Sequence, residues 1–326
     1  MITVGIDHGT SSIKTCIKEK DKEDYFVMSR RELLKKSYID KLKDHVNIKD
    51  IDLITVCYSM GDRINKIMPI EKVKNRGVIS IEGIGEKIGG GTKVYDEILN
   101  SNVPAIVMPG LHKNTPSLDE RFKCLYSHIA SPEKISIAYC AYKKYTIEDF
   151  ILSDISSNTV SLIIKNGIIR GGFDACIGAI GLLHGPLDLE LIRKIDSGEI
   201  SANEGFSTAG AIKIVKDLYK GVENTKNEIL KNYDKNKMCK LAIDSLILSV
   251  IMEIGALKTY DSCNSIVLSG SFGELGEKYG LVDEIKKRFS DNLYILKGES
   301  GALGGALIAE DILNGTKNIL GIDVEY

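Results

Sequence analysis

What this chain of 326 residues lacks narrows its role before any motif is read. Basic residues are in no excess, since 43 Lys and Arg stand against 45 Asp and Glu, a net charge of −2. A nucleic-acid partner is not expected, because attraction to a phosphate backbone needs a surplus of positive charge. No apolar stretch approaches the roughly 18 residues of a membrane span, so none is expected. No CxxC occurs, and Cys16, Cys57, Cys124, Cys140, Cys176, Cys239 and Cys263 are scattered singly. An odd, scattered set reads as reduced thiols in a cytoplasm rather than a disulfide framework or a metal site. The first residues enter a strand pattern at once, unlike a signal peptide. At 35.8 kDa the chain can bury a large core, and two domains are the soft expectation.

What is present begins with residues 2–17, ITVGIDHGTSSIKTCI: an apolar strand, a tight polar turn and a second strand. The turn holds Asp7, His8, Gly9, Thr10, Ser11 and Ser12, with Lys14 just beyond. Gly9 lets the backbone approach an anion without a Cβ in the way. Successive turn N–H groups and hydroxyls form an anion-binding concavity. Asp7, at the strand's end, suits a Mg²⁺ held partly through water. An ordinary hairpin would use the same residues for local reasons.

Strands are expected over 2–8, 12–19 and 24–29, an amphipathic helix over 31–46 and a strand over 52–58. A similar order returns later. Residues 150–156 read as a strand ending near Asp154, followed by the polar turn Ser156-Ser157-Asn158-Thr159. Strands over 160–165 and 168–170 flank Asn166-Gly167, a hairpin signal. Helices are expected over 188–197, 206–219 and 237–257, then a strand over 265–268 with Gly270 and Gly273 just past it. We read one supersecondary unit used twice, each copy placing an Asp and a hydroxyl-rich turn between its first two strands.

Asp7 and Asp154 are the candidate metal-linked carboxylates, with turn capping as the bland alternative. Lys14 either reaches a terminal phosphate as a point charge or lies solvated on its strand. Gly83, Gly85, Gly89, Gly90 and Gly91, with Thr92, form the densest glycine cluster. Close substrate approach, a lid or a plain loop would each account for it. Arg63, with Arg76 behind it, is a candidate substrate fork beside Asp62. His112 is the best-placed histidine for a transferred phosphoryl group, and His184 is next. His128 shares no metal-binding spacing with them. Gly270 and Gly273 follow an apolar strand, as flat packing on a base would require.

Together these motifs resemble the ASKHA superfamily of acetate and sugar kinases, Hsp70 and actin, nearest its acetate and butyrate kinase branch. Gly9-Thr10-Ser11-Ser12-Ile13-Lys14 is similar to the first phosphate loop. Gly90-Gly91-Thr92 resembles a segment near the acyl-substrate side, and Leu111-His112-Lys113-Asn114 an interrupted Leu-His-Asn segment. Residues 154–167 resemble the second phosphate loop, and His184-Gly185-Pro186 the segment after it. Residues 266–272, with Gly270 and Ser271, resemble the adenosine motif. Gly301-Ala302-Leu303-Gly304-Gly305-Ala306 fits a closing helix whose small residues would let helices of the two domains cross closely. The chain departs from the pattern at Ser156, Ser157 and Asn158, where glycines are usual. It departs again at the strand expected over 137–142, which lacks a carboxylate, and Ser59 to Arg63 fits the substrate-arginine segment loosely. The whole chain also resembles the methanogenesis marker protein 12 family, which implies an archaeal cytoplasmic protein.

The resemblance implies an α/β fold of two RNase H-like (actin-like ATPase) domains, 1–148 and 149–326, with a nucleotide cleft between them. The last helix would pack back on the first domain. It implies ATP and Mg²⁺, with Gly9, Thr10, Ser11, Ser12, Lys14, Ser156, Ser157, Asn158, Gly270, Ser271 and Gly273 toward the nucleotide. Asp7, Asp154, Arg63 and His112 would serve catalysis, and Gly90, Gly91, Thr92 and His184 the substrate. The expected activity is phosphoryl transfer to a small acceptor, a carboxylate. The alternative is a slow ATPase acting as a nucleotide-dependent switch or assembly factor. A homodimer or a protein partner is left open.

Overall fold

Ile2 to His8 form β1, buried along almost its whole length, as suits a central strand flanked on both faces. The structure, a computed structural model, describes residues 1–9, 12–58, 63–77, 90–215, 218 and 221–326, apart from the side chains of 222–224. After β1 come β2 (Ser12–Glu19), β3 (Lys22–Ser29), α1 (Arg30–Leu33), α2 (Tyr38–Lys43), β4 (Leu53–Cys57) and β5 (Met68–Pro69). Then follow α3 (Gly90–Asn100), β6 (Ala105–Val107), β7 (Leu111–His112), α4 (Glu120–Leu125), β8 (His128–Ala130) and α5 (Pro132–Tyr145). The first sheet runs β3-β2-β1-β4-β6-β5. β1 pairs antiparallel with β2 and parallel with β4, which is parallel with β6. One face carries the main core, including Val4, Ile6, Ile54, Val56, Tyr95 and Ile98.

The second sheet uses β9 (Phe150–Ile155), β10 (Thr159–Lys165), β11 (Ile168–Phe173), β12 (Ser265–Ser269) and β13 (Asn292–Ile295), in the order β11-β10-β9-β12-β13. β9 and β10 are antiparallel, while β12 is parallel to both β9 and β13. Renumbered from each half's first strand, both sheets begin third, second, first, fourth; the first then continues with its sixth and fifth strands and the second with its fifth. The repeated unit is therefore present as a topology. Between β11 and β12 come α6 (Leu189–Asp196), α7 (Ala202–Thr208), α8 (Val222–Lys231) and the long α9 (Lys237–Lys258). α10 (Gly270–Gly273) and α11 (Leu281–Arg288) follow β12, and α12 (Ser300–Leu313) precedes the short β14 (Asn318–Ile319) and β15 (Ile322–Asp323).

Two compact units result: Met1–Glu148, Asn166–Ile169 and Glu299–Tyr326 in the first, Asp149–Lys165 and Arg170–Gly298 in the second. α12 thus belongs to the first, packed on β1, β2, β4 and α5. Its glycines serve that packing rather than a crossing of helices from two domains. A Cβ on Gly304 would fall 1.8 Å from the Ser136 carbonyl of α5, and one on Gly5 1.9 Å from the Ala302 carbonyl.

Three expected elements differ. The helix expected over 31–46 divides, because Ser29 closes a capping box with Glu32 and Ser37 caps a second helix at Asp40. The helix expected over 206–219 begins earlier, at Ala202, where Ser201 and Glu204 form another capping box; it ends at Thr208. Residues 137–142 are helical, not a strand. They lie inside α5, which starts at Pro132 and is buried on nearly all sides through Ala141. An apolar run buried all round has no period that distinguishes helix from strand. The hairpin signal is met, with Asn166 at φ 52° and Gly167 at φ 67°.

Candidate functional site

Parallel β1 and β4 end side by side, with Asp7 in register with Cys57. The pleat sends Asp7 and Cys57 to one face and His8 and Tyr58 to the other. Asp7 is buried beneath α12, where a Cβ on Gly301 would sit 2.8 Å from its Oδ2. Cys57 Sγ lies 3.0 Å from Ser136 Oγ on α5. Burial pushes this thiol well above its ordinary range, and the charges of Asp7 and Glu133 add to the shift. Glu133, in the first turn of α5, is 9 % exposed. Its Oε1 accepts from Ser131 Oγ and stands 3.2 Å from Lys134 Nζ, while Oε2 has no hydrogen-bond partner among the described residues.

Arg30 spans the strand tips. Its Nε donates to the Gly9 carbonyl at 3.1 Å, and Nη2 donates to the Gly9 and His8 carbonyls at 2.9 and 3.4 Å. Burial lowers its pKa, and Tyr58, Asp7 and Glu133 offset part of that. The start of α3 closes against the same residue. A Cβ on Gly91 would meet Nη1 at 2.1 Å, and one on Gly90 the Arg30 carbonyl at 3.0 Å. The start of α3 thus lies close on Arg30: a Cβ on Gly90 would crowd its backbone, and one on Gly91 would displace the end of its guanidinium side chain. On the other face, the Tyr58 hydroxyl is 3.0 Å from Thr92 Oγ1. His8 meets the Tyr58 ring edge-on at 5.7 Å, Tyr95 lies 5.3 Å from it, and the Arg76 guanidinium stands 6.0 Å from its centre. Burial first, then the charge of Arg30, pushes His8 down to about 3.

The second unit repeats the arrangement with different side chains. Asp154 is the penultimate residue of β9, as Asp7 is of β1, and sits in register with Ser269. Ser269 Oγ donates to Asp154 Oδ1 at 2.7 Å, and the Ser271 N–H donates to Ser156 Oγ at 3.0 Å. Gly270 lies between them at φ +84°, where a Cβ would come within 2.5 Å of the Ile155 carbonyl and Ser156 Oγ. No other residue fits there without strain. The turn carbonyls are taken by residues 182–184: Ser156 accepts from the Leu182 N–H, and Ser157 from the N–H groups of Leu183 and His184. A Cβ on Gly181 would fall 2.4 Å from Asn158 Cα. The glycine that close approach demands thus sits opposite the turn, which is why Ser156, Ser157 and Asn158 need not be glycine. Glu253 of α9 anchors the same segment by accepting from the Ala179 N–H. Burial pushes this carboxyl up to about 7.

The structure brings Asp7, Gly9, Gly90, Gly91 and Thr92 together around Arg30 and Tyr58, with Ser12 and Lys14 half-buried on the adjoining β2. It likewise brings Asp154, Ser156, Ser157, Asn158, Gly270, Ser271 and His184 together. Gly273 is buried in α10, but a Cβ there would meet only ordinary contacts, the nearest at 3.7 Å. Two candidates fare differently. Arg63 is exposed, with its N–H on the Gly77 carbonyl. His112 lies in β7, its Nε2 2.9 Å from the Ile64 carbonyl and its Nδ1 accepting from the Asn114 N–H. Both ring nitrogens are committed locally, so no lone pair or N–H remains for a phosphoryl group. His184 lies 4.9 Å from the Phe206 ring, tilted to it, and burial, then Lys226, lowers its pKa. Thr10, Ser11, Asp62, Gly83, Gly85 and Gly89 lie outside the described residues.

The sequence reading passed over Arg30, Tyr58 and Glu133. Glu133 was hidden because 137–142 reads as a strand, yet Ser131-Pro132 directly before it is a helix-start signal. Among the described residues no group of three or more His, Cys, Asp or Glu is placed to hold a metal ion, and no helix is long and apolar enough to cross a membrane.

No family model matches the chain. It is 67 % identical over 326 residues to a UPF0285 protein of Methanococcus aeolicus, covering 99 % of each. It is 63 % identical over 328 residues to one of Methanocaldococcus jannaschii, covering 100 % of each. Among solved structures it is similar to a propionate kinase from Francisella tularensis, with TM-score 0.64 and 12 % identity over 95 % of this chain and 99 % of that one. A Porphyromonas gingivalis acetate kinase has TM-score 0.64 at 11 % identity over 96 % and 99 %. A ROK family glucokinase from Streptomyces griseus has TM-score 0.53 at 13 % identity over 95 % and 100 %. At such identities the likeness concerns the fold, which is the two-domain α/β fold of the ASKHA kinases.

Proposed function

The chain belongs to the UPF0285 family, and from that premise we propose that it is an ATP-dependent phosphotransferase acting on a small carboxylate in a methanogen's cytoplasm. The observation that carries this is the repeated placement of a buried Asp, penultimate in its strand, beside a tight turn in both halves. Gly270 supplies the fit test for a nucleotide. Its φ and the absent Cβ keep the turn after β12 against Asp154 and Ser156, leaving backbone where a side chain would otherwise stand. In each unit one buried carboxylate, Asp7 or Asp154, would offer the hard oxygen ligand that Mg²⁺ needs while it keeps several waters. Bound Mg–ATP would supply an activated phosphoryl group with its charge partly neutralised.

In such a transfer a protein supplies mainly positioning and charge stabilisation. Arg30 holds the first turn through two carbonyls and keeps a positive charge at the strand tips. Residues 182–184 hold the second turn. A carboxylate acceptor arrives ionised and needs no base. Titrating intact protein with Mg–ATP by calorimetry, then measuring ADP release with and without short-chain acids, tests the reading. Binding with acid-stimulated release is expected. Binding with no stimulation by any acid would favour the nucleotide switch, and no binding at millimolar Mg–ATP would remove both readings.

A further inference from the structure

The long helix α9 is apolar over more of its surface than the second unit covers. Its inner face is core, with Ile243, Leu246, Val250 and Ile254 buried. Its outer face is apolar too: Met238 is 41 % exposed, Leu241 50 %, Leu248 54 % and Met252 65 %. A helix apolar all round ordinarily lies wholly inside a protein, and a contiguous exposed apolar patch marks a contact surface. The outer residues are also in register. Met238, Leu241, Ser245, Leu248 and Met252 follow one another at alternating spacings of three and four residues, the period of a seam that receives a second helix.

Leu248 also lines a cavity of about 400 Å³ between α9 and α11. The charged residues around it balance, with Asp244, Asp283 and Glu284 against Lys240, Lys287 and Arg288. A face of that kind meets its own copy without net repulsion. α11 sets the direction of the meeting, because it runs parallel to α9. Tyr279, before α11, meets Tyr233, before α9, with ring centres 5.2 Å apart. Phe289, after α11, lies 5.6 Å from Lys258 Nζ at the end of α9. The acids of α11 stand in its first turn, and Lys286, Lys287 and Arg288 in its last. Within the chain Lys240 pairs with Asp244, and Glu284 with Lys287 and Arg288. Asp283 is left at one end and an excess of positive charge at the other. Two copies laid in the same direction would set like charge against like, whereas copies laid end for end set acid against base. We propose that α9 is the seam of a homodimer, packed antiparallel about a two-fold axis that passes between Ser245 and Leu248. Each Leu248 then meets the partner's Ser245, a large residue against a small one, and each Leu241 meets the partner's Met252.

The proposal is independent of the phosphotransferase reading, since no ligand enters it. Sedimentation of the intact chain from micromolar to submillimolar concentration should show a dimer. Leu241→Asp and Met252→Lys should each shift it to monomer, because each sets a charge against an apolar side chain across the seam. Both positions are at least half exposed in the single chain, so both variants should keep a cooperative thermal melt. The chain carrying both substitutions should dimerise again, because the antiparallel register places each new carboxylate opposite a new ammonium. A parallel register would oppose like charges and leave that double variant monomeric. A wild type that stays monomeric, a single variant that stays dimeric, or a double variant that stays monomeric would each overturn the proposal, the first leaving the seam to some other protein.

Discussion

Glu253 carries the clearest consequence of a single residue. Its carboxyl is buried, bonded to the Ala179 N–H, and pushed from an ordinary 4.5 up to about 7. A raised carboxyl favours the folded state in its neutral form. That contribution is complete below about pH 4.5 and is lost as pH rises through about 7, some 3 kcal/mol at about 1.4 kcal/mol per unit. His8 works the other way, since its depressed value favours the fold at higher pH. Comparing urea unfolding of the wild type with Glu253→Gln at pH 5 and pH 8 isolates the glutamate. The variant should lose stability relative to the wild type at pH 5 and gain at pH 8; parallel curves would mean that burial does not perturb this carboxyl. Residue-level legibility was uneven. Asp7 and Asp154 stood out because strand-end carboxylates before polar turns are a local pattern. Arg30 and Tyr58 did not, because their roles come from contacts across tens of residues of chain, with Gly9, His8 and Thr92.

Among the elements, α12 depends on backbone approach rather than side-chain interlock. A Cβ on Gly304 would overlap the Ser136 carbonyl at 1.8 Å, and backbone cannot yield as a flexible side chain does. Gly304→Ala should therefore cost at least the ~1–3 kcal/mol typical of an overfilled core. Gly255, within α9, is the control, because a Cβ there meets nothing nearer than 3.8 Å. Gly255→Ala should stabilise by roughly 0.5–1 kcal/mol through helix propensity. Thermal melts of the two variants test the contrast, and equal effects would mean that α12 can shift to accept the methyl. The sequence displayed the Gly-Ala-Leu-Gly-Gly-Ala pattern but not its partner. Small residues announce close packing, whereas the surface they pack on depends on the fold. The same limit explains α5. Its helix start at Ser131-Pro132 was readable, but its apolar length looked like a strand because burial on all sides erases the helical period.

At the scale of the whole molecule, the repeat was the most legible feature. Two local patterns, an Asp before a hydroxyl turn and three strands before a helical stretch, recur in matching order, and both sheets share the order of their first four strands. The return of α12 to the first unit was expected from the family resemblance rather than from the residue pattern, because it is a matter of packing. The repeat carries a prediction of its own. A ligand that binds only the folded state raises stability by mass action, about 2.7 kcal/mol at a hundredfold excess over its Kd. If both turns are needed for nucleotide binding, Mg–ATP should raise the melting temperature of the intact chain, and a change in either half should remove that rise. Asp7→Asn alters the first turn while keeping side-chain shape. Gly270→Ala alters the second by forcing a Cβ toward Ser156 and Asp154. Both variants should melt reproducibly without ligand and show no Mg–ATP shift up to concentrations saturating the wild type. A full shift in either one would assign nucleotide binding to the other half alone, and the repeated turn would then be a structural inheritance rather than a working pair.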